Sequence, residues 1–84
     1  MREQKYLDSL ISILIAIKSD VEMKDFLLGI FTPQELIEIP RRLEIVRMLK
    51  SGVPQHRISE ELGVGIATVT RGSKELQKGR FANV

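Results

Sequence analysis

The apolar stretch from Leu7 to Ile17 constrains the fold more than any other part of this sequence. Eight of its eleven residues are apolar, and it contains no proline, no glycine and no strict polar–apolar alternation. This pattern favours a helix that is covered on nearly all sides, although its β-branched side chains leave a buried strand at Ile11 to Ile17 as the alternative. A chain of 84 residues can hardly surround such a helix alone. We therefore expect an intertwined homodimer, in which a second copy covers it.

Two capping boxes predict where the next helices begin. In such a box the hydroxyl of the first residue and the carboxylate three residues later each satisfy a free backbone N–H. Ser19 and Glu22 predict a helix that starts near Asp20. Thr32 and Glu35, with proline at the first helical position between them, predict a third helix.

Pro40 lies inside the third helix, which should end before Ser51. Proline removes one intrahelical hydrogen bond and crowds the carbonyl four residues back, so we expect either a kink or two abutting helices. The predicted organisation is a single domain over 1–84, with dimerisation helices in 4–31, a core helix in 32–51, a helix-turn-helix in 54–78 and a flexible tail in 79–84.

Charge is distributed unevenly along the chain. Residues 1–39 carry a net charge of −3 and residues 40–84 a net charge of +5, within a total of +2. The split suggests that the second half faces a polyanion, although an ordinary surface with uneven charge would look the same.

The segment from Gln55 to Gln77 has the pattern of a helix-turn-helix. That motif needs a small residue where two helices cross, a glycine able to adopt positive φ at the turn, and apolar inner faces. Ser59 and Gly63 supply the first two. The inner faces are supplied by Ile58, Leu62, Val64, Val69 and Leu76.

The second helix of the motif has an outer face that is small near its start and basic towards its end. The residues of this face are Ala67, Thr70, Arg71, Lys74 and Lys78. A helix whose first turn approaches base edges and whose later turns meet phosphates needs this arrangement. The alternative is a helix pair that serves only for packing or that binds an acidic protein.

The string from Leu62 to Ser73 closely resembles the turn and recognition helix of the Trp repressors. The resemblance covers about residues 28 to 77, and the segment from Arg41 to Leu49 also resembles a sister group of short Trp-repressor-like proteins. It implies that Ile66, Ala67 and Thr70 face bases, with Gly65 and Thr68 near the backbone. It further implies phosphate contacts from the start of the first motif helix, at Gln55, His56 and Arg57, or a guanine contact in the case of the arginine. Lys74 completes the predicted DNA-binding set.

The resemblance also implies an effector site for L-tryptophan as corepressor. Two arginines enclose the indole ring in Trp repressors, and the matching residues are Arg42 and Arg71. Thr32 would assist at the carboxylate, while Val46 and Gly72 would shape the pocket. Glu75 stands where the family usually has serine near the amino group, so it could accept from the ammonium, close the pocket or change the ligand.

Other departures keep a second hypothesis open, in which the protein does not respond to tryptophan. His56 and Ser59 replace an arginine and a lysine that are usual in the family, and this lowers the local charge. The family commonly has another helix after the recognition helix, where this sequence has the predicted tail. The regulator would then be constitutive or would answer another small molecule.

No pattern of residues indicates an enzyme. The only histidine, His56, begins a motif helix, and the sequence has no cysteine, no phosphate-binding glycine loop and no metal-ligand cluster. We expect no cofactor and no metal. Neither a membrane span nor a signal peptide is indicated, and the absence of cysteine fits a reducing cytoplasm.

Overall fold

A computed structural model describes residues 2–84 of the chain as five α-helices. They are α1 (Arg2–Ala16), α2 (Asp20–Ile30), α3 (Pro33–Lys50), α4 (Gln55–Leu62) and α5 (Ile66–Gln77). This part of the chain contains no strand. The all-α class is confirmed, and the alternative of a strand at Ile11 to Ile17 is wrong.

These residues fall into two compact units. One ends at Leu36 and the other comprises Ile37–Val84. The first unit contains α1, α2 and the beginning of α3, and the second contains the rest of α3 with α4 and α5. The helix pair and the cavities described below belong to the second unit.

Side-chain caps fix the starts of α2 and α3, as the sequence predicts. The Ser19 hydroxyl accepts a hydrogen bond from the Glu22 N–H at 3.1 Å. At α3 the box is reciprocal: the Thr32 hydroxyl accepts from the Glu35 N–H at 3.1 Å, and the Thr32 N–H donates to the Glu35 carboxylate at 2.8 Å. Both backbone donors are satisfied before the helix has its own acceptors for them.

The helices α1 and α2 expose much of their apolar surface. Neither contains a buried residue. The large apolar side chains exposed on α1 are Tyr6, Leu7, Ile11, Ile13 and Ile15, and those on α2 are Val21, Leu28 and Ile30. Ile15 alone is 72% exposed. Monomeric proteins rarely leave a patch of this kind in contact with water.

The helix α3 runs without interruption through Pro40. The ring of proline fixes φ near the helical value, so the residue costs one backbone hydrogen bond without forcing the chain out of the helix. Of the two expected outcomes, two abutting helices are excluded. Even α3, the longest of the described helices, lacks the combination of length and apolar character needed to cross a membrane, and so do the others.

The second unit has a small core where α3, α4 and α5 meet. Ile45 of α3, Ile58 of α4 and Val69 of α5 are buried in one cluster. The partly buried side chains that pack around it are Met48, Leu49, Val53, Leu62 and Val64. The helix α3 contributes two fully enclosed β-branched side chains, Ile45 and its neighbour Val46, while α4 and α5 contribute one each. The positions of α4 and α5 therefore depend on a few contacts.

Candidate functional site

The helices α4 and α5 are joined by a tight turn that depends on Gly63. This residue caps α4 in the left-handed conformation, with φ 65° and ψ 36°, where a side chain would be strained. The Ser59 hydroxyl donates a 2.5 Å hydrogen bond to the Val64 carbonyl, and the Ser59 carbonyl accepts from the Val64 N–H. Ser59 therefore ties the turn together, a role that its small size alone did not predict.

Two of the predicted DNA-binding residues contact each other. The Thr70 hydroxyl, in the middle of α5, donates a 2.8 Å hydrogen bond to the amide oxygen of Gln55 at the start of α4. Both side chains are half-buried. This bond joins α5 to α4, so the outer surface of one helix has a fixed position relative to that of the other.

The remaining predicted DNA-binding residues are exposed. They are His56, Arg57, Gly65, Ile66, Ala67, Thr68 and Lys74. Ile66 keeps half of its surface in contact with solvent although it is large and apolar. The guanidinium of Arg57 forms an exposed ion pair with Glu61 at 3.0 Å. The turn and the first part of α5 thus present a small and apolar surface, with a lysine further along the helix.

A cavity of about 460 Å³ brings together five of the six residues predicted for the effector. It is lined by Arg42 and Val46 of α3 and by Arg71, Gly72 and Glu75 of α5. Its other lining residues are Ile39, Leu43, Ile45, Thr68 and Phe81. This volume lies within the range of small-molecule pockets, about 300–1,000 Å³. The sixth predicted residue, Thr32, belongs to the first unit, where it caps α3.

Gly72 lets α5 approach α3 closely beside this cavity. A Cβ atom at this position would lie 3.3 Å from the Ile45 side chain and 3.6 Å from the Leu49 side chain. The absence of a side chain therefore shapes the wall between the cavity and the core. A smaller cavity of about 240 Å³ lies beside the turn, and Arg41, Arg42, Gly63 and Gly65 contribute to its lining.

The charges around the larger cavity are partly paired. Within residues 2–84, neither Arg42 nor Arg71 forms a salt bridge. Glu75, in contrast, pairs with Lys78 at 3.2 Å and with Arg80 at 2.8 Å, one cation at each carboxylate oxygen. The hydrogen bond from Lys78 lowers the pKa of Glu75, and the charges of Lys78, Arg80 and Arg71 act in the same direction against partial desolvation.

The profile of one known protein family matches this chain over almost its whole length. The profile of the family described as "Trp repressor protein" matches residues 5–82. The chain belongs to the Trp repressor family. The resemblance stated from the sequence is thereby confirmed.

Individual relatives of this chain differ in how much of their length is matched. The Trp operon repressor homolog of Vibrio vulnificus (strain YJ016) is 49% identical over 65 residues, which cover 73% of this chain and 64% of that protein. The homolog of Photobacterium profundum is 41% identical over 75 residues, covering 88% and 69%. A Bacillus subtilis (strain 168) protein named "Uncharacterized protein YerC" is 33% identical over 78 residues, covering 93% and 75%.

The matched part of the chain thus spans slightly less than two thirds of the Vibrio vulnificus relative. No solved structure matches the chain significantly.

Phe81 and Arg80 lie beside the cavity of this Trp repressor family member and were not predicted from its sequence, and neither were the apolar lining residues Ile39, Leu43 and Ile45. Phe81 lines the cavity, and Arg80 forms an ion pair with Glu75, which also lines it. A signal for their position exists in Gly79, since a glycine just after the last helical residues often ends a helix in a defined turn. The prediction of a flexible tail at residues 79–84 does not use this signal, and it stays a prediction.

Proposed function

We propose that this chain is a DNA-binding transcriptional repressor in which α5 enters the major groove of an operator. The observation that carries the proposal is the geometry of the helix pair. Its inner faces are locked by Ile58 and Val69, while the outer side of the turn and of α5 is exposed. A rigid pair with a free, narrow outer surface is what docking of a helix-turn-helix requires.

The chemistry of the outer surface supports this function. Ile66, Ala67 and Thr68 are exposed at the start of α5, so no bulky polar side chain keeps that end away from base edges. Thr70 and Gln55 are hydrogen-bonded to each other where the helices cross, so their side chains are positioned to contact the DNA together. Lys74 is exposed in the last turn, where it meets a phosphate.

Membership in the Trp repressor family supports the same conclusion. Relatives carry the name "Trp operon repressor homolog", which describes a regulator rather than an enzyme. Repression follows when the bound protein occupies an operator near a promoter.

Salt dependence of duplex binding tests the proposal. We expect a fluorescently labelled duplex of about 30 base pairs to bind at low salt and to dissociate steeply as the potassium chloride concentration rises. The reason is that lysine and arginine side chains bound to phosphates release condensed counterions into solution, and added salt opposes this release. Absence of binding at about 50 mM salt would contradict DNA binding and would favour a module that binds an acidic protein.

The variant Lys74→Gln should reduce the slope of log affinity against log salt by about one, because one phosphate contact is lost. Anisotropy titrations at a series of salt concentrations give both slopes. Lys24→Gln is the matched control, since it removes the same charge from an exposed position on α2. If both variants changed the slope equally, only total charge would matter, and α5 would not be the contact.

The protein acts as a homodimer through α1 and α2. The exposed apolar side chains of these helices need a cover, and a second copy presents the same surface by twofold symmetry. Two recognition helices can then reach half-sites about 34 Å apart, one turn of the duplex. Sedimentation equilibrium should give twice the chain mass of 9.6 kDa, and a mass of 9.6 kDa at micromolar concentration would exclude the dimer.

The effector is L-tryptophan, which binds in the larger cavity and favours the arrangement of helices that fits DNA. The guanidinium groups of Arg42 and Arg71, which form no salt bridge within residues 2–84, support this assignment because they suit a carboxylate and a flat ring.

The pairing of Glu75 with Lys78 and Arg80 favours the second candidate, a regulator with another effector or none. Calorimetry with L-tryptophan separates the two, since no heat at millimolar ligand supports the second.

A further inference from the structure

The segment 79–84 is attached to the second unit by defined contacts. The Gly79 N–H donates to the Leu76 carbonyl at 3.0 Å and the Arg80 N–H to the Glu75 carbonyl at 3.3 Å. With Gly79 at a φ of 90°, this pair of bonds is a Schellman motif, which ends α5 and turns the chain back. The direction in which the segment leaves α5 is therefore set by the backbone.

The ion pair between Glu75 and Arg80 joins the two residues that also share a backbone hydrogen bond in this motif. In a Schellman turn, one of the two backbone bonds joins a residue in the last helical turn to the residue five positions later. The side chains of these two residues come together and usually form an apolar contact. Here they are Glu75 and Arg80, whose charged groups lie 2.8 Å apart. The segment is closed by a charge-assisted bond in place of an apolar contact.

Phe81 is held in a conformation that it would not adopt freely. Its φ of 65° lies in the left-handed region, which costs free energy for a residue with a side chain. Its carbonyl accepts a 2.5 Å hydrogen bond from Lys50 at the end of α3. The side chain lines the larger cavity and is 38% exposed. The Schellman motif before Phe81 and the bond from Lys50 to its carbonyl thus hold an aromatic ring in the lining of the proposed effector site.

We propose that the segment 79–84 is a fixed wall of the effector cavity, with Phe81 selecting an effector that carries a flat apolar group and the Glu75–Arg80 ion pair latching the wall in place. The inference rests on the proposed function and specifies the ligand class of its cavity. The cavity keeps about 460 Å³ with Phe81 in position, so the ring borders the ligand space and does not fill it.

The ion pairs of Glu75 determine whether its carboxylate can bind the ligand. Each of its carboxylate oxygens already has a cationic partner, Lys78 on one and Arg80 on the other. Glu75 therefore acts by positioning Phe81, and the ligand ammonium is not its partner. The carboxylate of the ligand meets Arg42 or Arg71, and its ring packs against Phe81.

Calorimetry of the full chain with two probes tests the wall. The probes are L-tryptophan and indole-3-propionate, which has the same ring and carboxylate but no ammonium group. Phe81→Ala should weaken both by about tenfold, since an aromatic contact and its buried area are lost. Arg80→Ala should weaken both to a similar degree, although Arg80 does not line the cavity. Glu75→Gln should do the same, and the double variant Glu75→Gln/Arg80→Ala should be no weaker than the worse single variant.

Ile37→Ala is the matched control, because it truncates an exposed apolar residue that lies on α3, outside the segment 79–84, and does not line the cavity. Phe81→Leu should recover part of the affinity. All variants should retain duplex binding at low salt, which shows that they fold and separates this test from that of the proposed function.

Several results would overturn the wall. Unchanged or tighter binding by Phe81→Ala would mean that the ring is irrelevant or competes with the ligand. Loss of tryptophan binding alone in Glu75→Gln would mean that Glu75 accepts from the ammonium. Binding of neither probe by the unmodified protein would remove the cavity as an indole site, while its duplex binding would still decide the repressor function.

Discussion

Replacing Ile58 with alanine is expected to lower the free energy of unfolding by about 2–5 kcal/mol, the usual cost of a large-to-small change in a core. Ile58 is fully buried and connects α4 to Ile45 and Val69. The cluster is so small that little else can move in to fill the space left behind. A domain of this size is stabilised by only about 5–10 kcal/mol, so the variant should lose a large part of its stability.

Thermal denaturation followed by circular dichroism measures this effect. The protomer concentration is kept fixed, because the stability of the proposed dimer would depend on it. The melting temperature should fall by roughly 10 °C or more. Ile66→Ala is the matched control, because it makes the same change to a side chain that is 50% exposed on the neighbouring helix. Equal losses in the two variants would mean that the helix pair is not organised around Ile58.

Local signals in the sequence predicted the starts of helices and the turn between α4 and α5. The capping boxes at Ser19 and Thr32 act within four residues, so their hydrogen bonds follow from the sequence alone. Gly63 is a similar case, since its left-handed conformation is required by the turn itself. The apolar inner positions Ile58 and Val69 followed from helical periodicity.

Contacts between residues far apart in the sequence could not be predicted from such local signals. The bond from Thr70 to Gln55 joins residues fifteen positions apart and exists only because α4 and α5 cross at that point. The same holds for Lys50 and Phe81, which lie 31 positions apart. Polar side chains of this kind have many possible partners, and the choice is made by tertiary packing.

Prediction of the larger cavity was intermediate between these two cases. Arg42, Arg71 and Gly72 were identified by resemblance to a family, and the structure brings them together with Glu75. The resemblance could not assign a role to Glu75, because this chain departs from the family there. Its pairing with Arg80 depends on the turn at Gly79. The glycine signals a turn in the sequence, but the ion pair that the turn brings together is visible only in the folded chain.

Ala67→Glu is expected to reduce operator affinity by at least about a hundredfold, because it places a carboxylate where the proposed recognition helix meets a polyanion and base edges. Ala67 is exposed in the first turn of α5, and glutamate is a good helix former that is favoured near a helix N-terminus. Thermal stability should therefore stay the same, so a loss of binding would reflect the interface.

The measurement is fluorescence anisotropy with an operator selected from a random-sequence duplex library by the unmodified protein. Asn83→Glu is the control, since it lowers the net charge equally at an exposed position beyond α5 and should cost only a few-fold through the general field of the protein. If both variants lost affinity equally, net charge would explain the effect. If Ala67→Glu bound as tightly as the unmodified protein, the first turn of α5 would lie outside the groove, and the assignment of α5 as the recognition helix would be wrong.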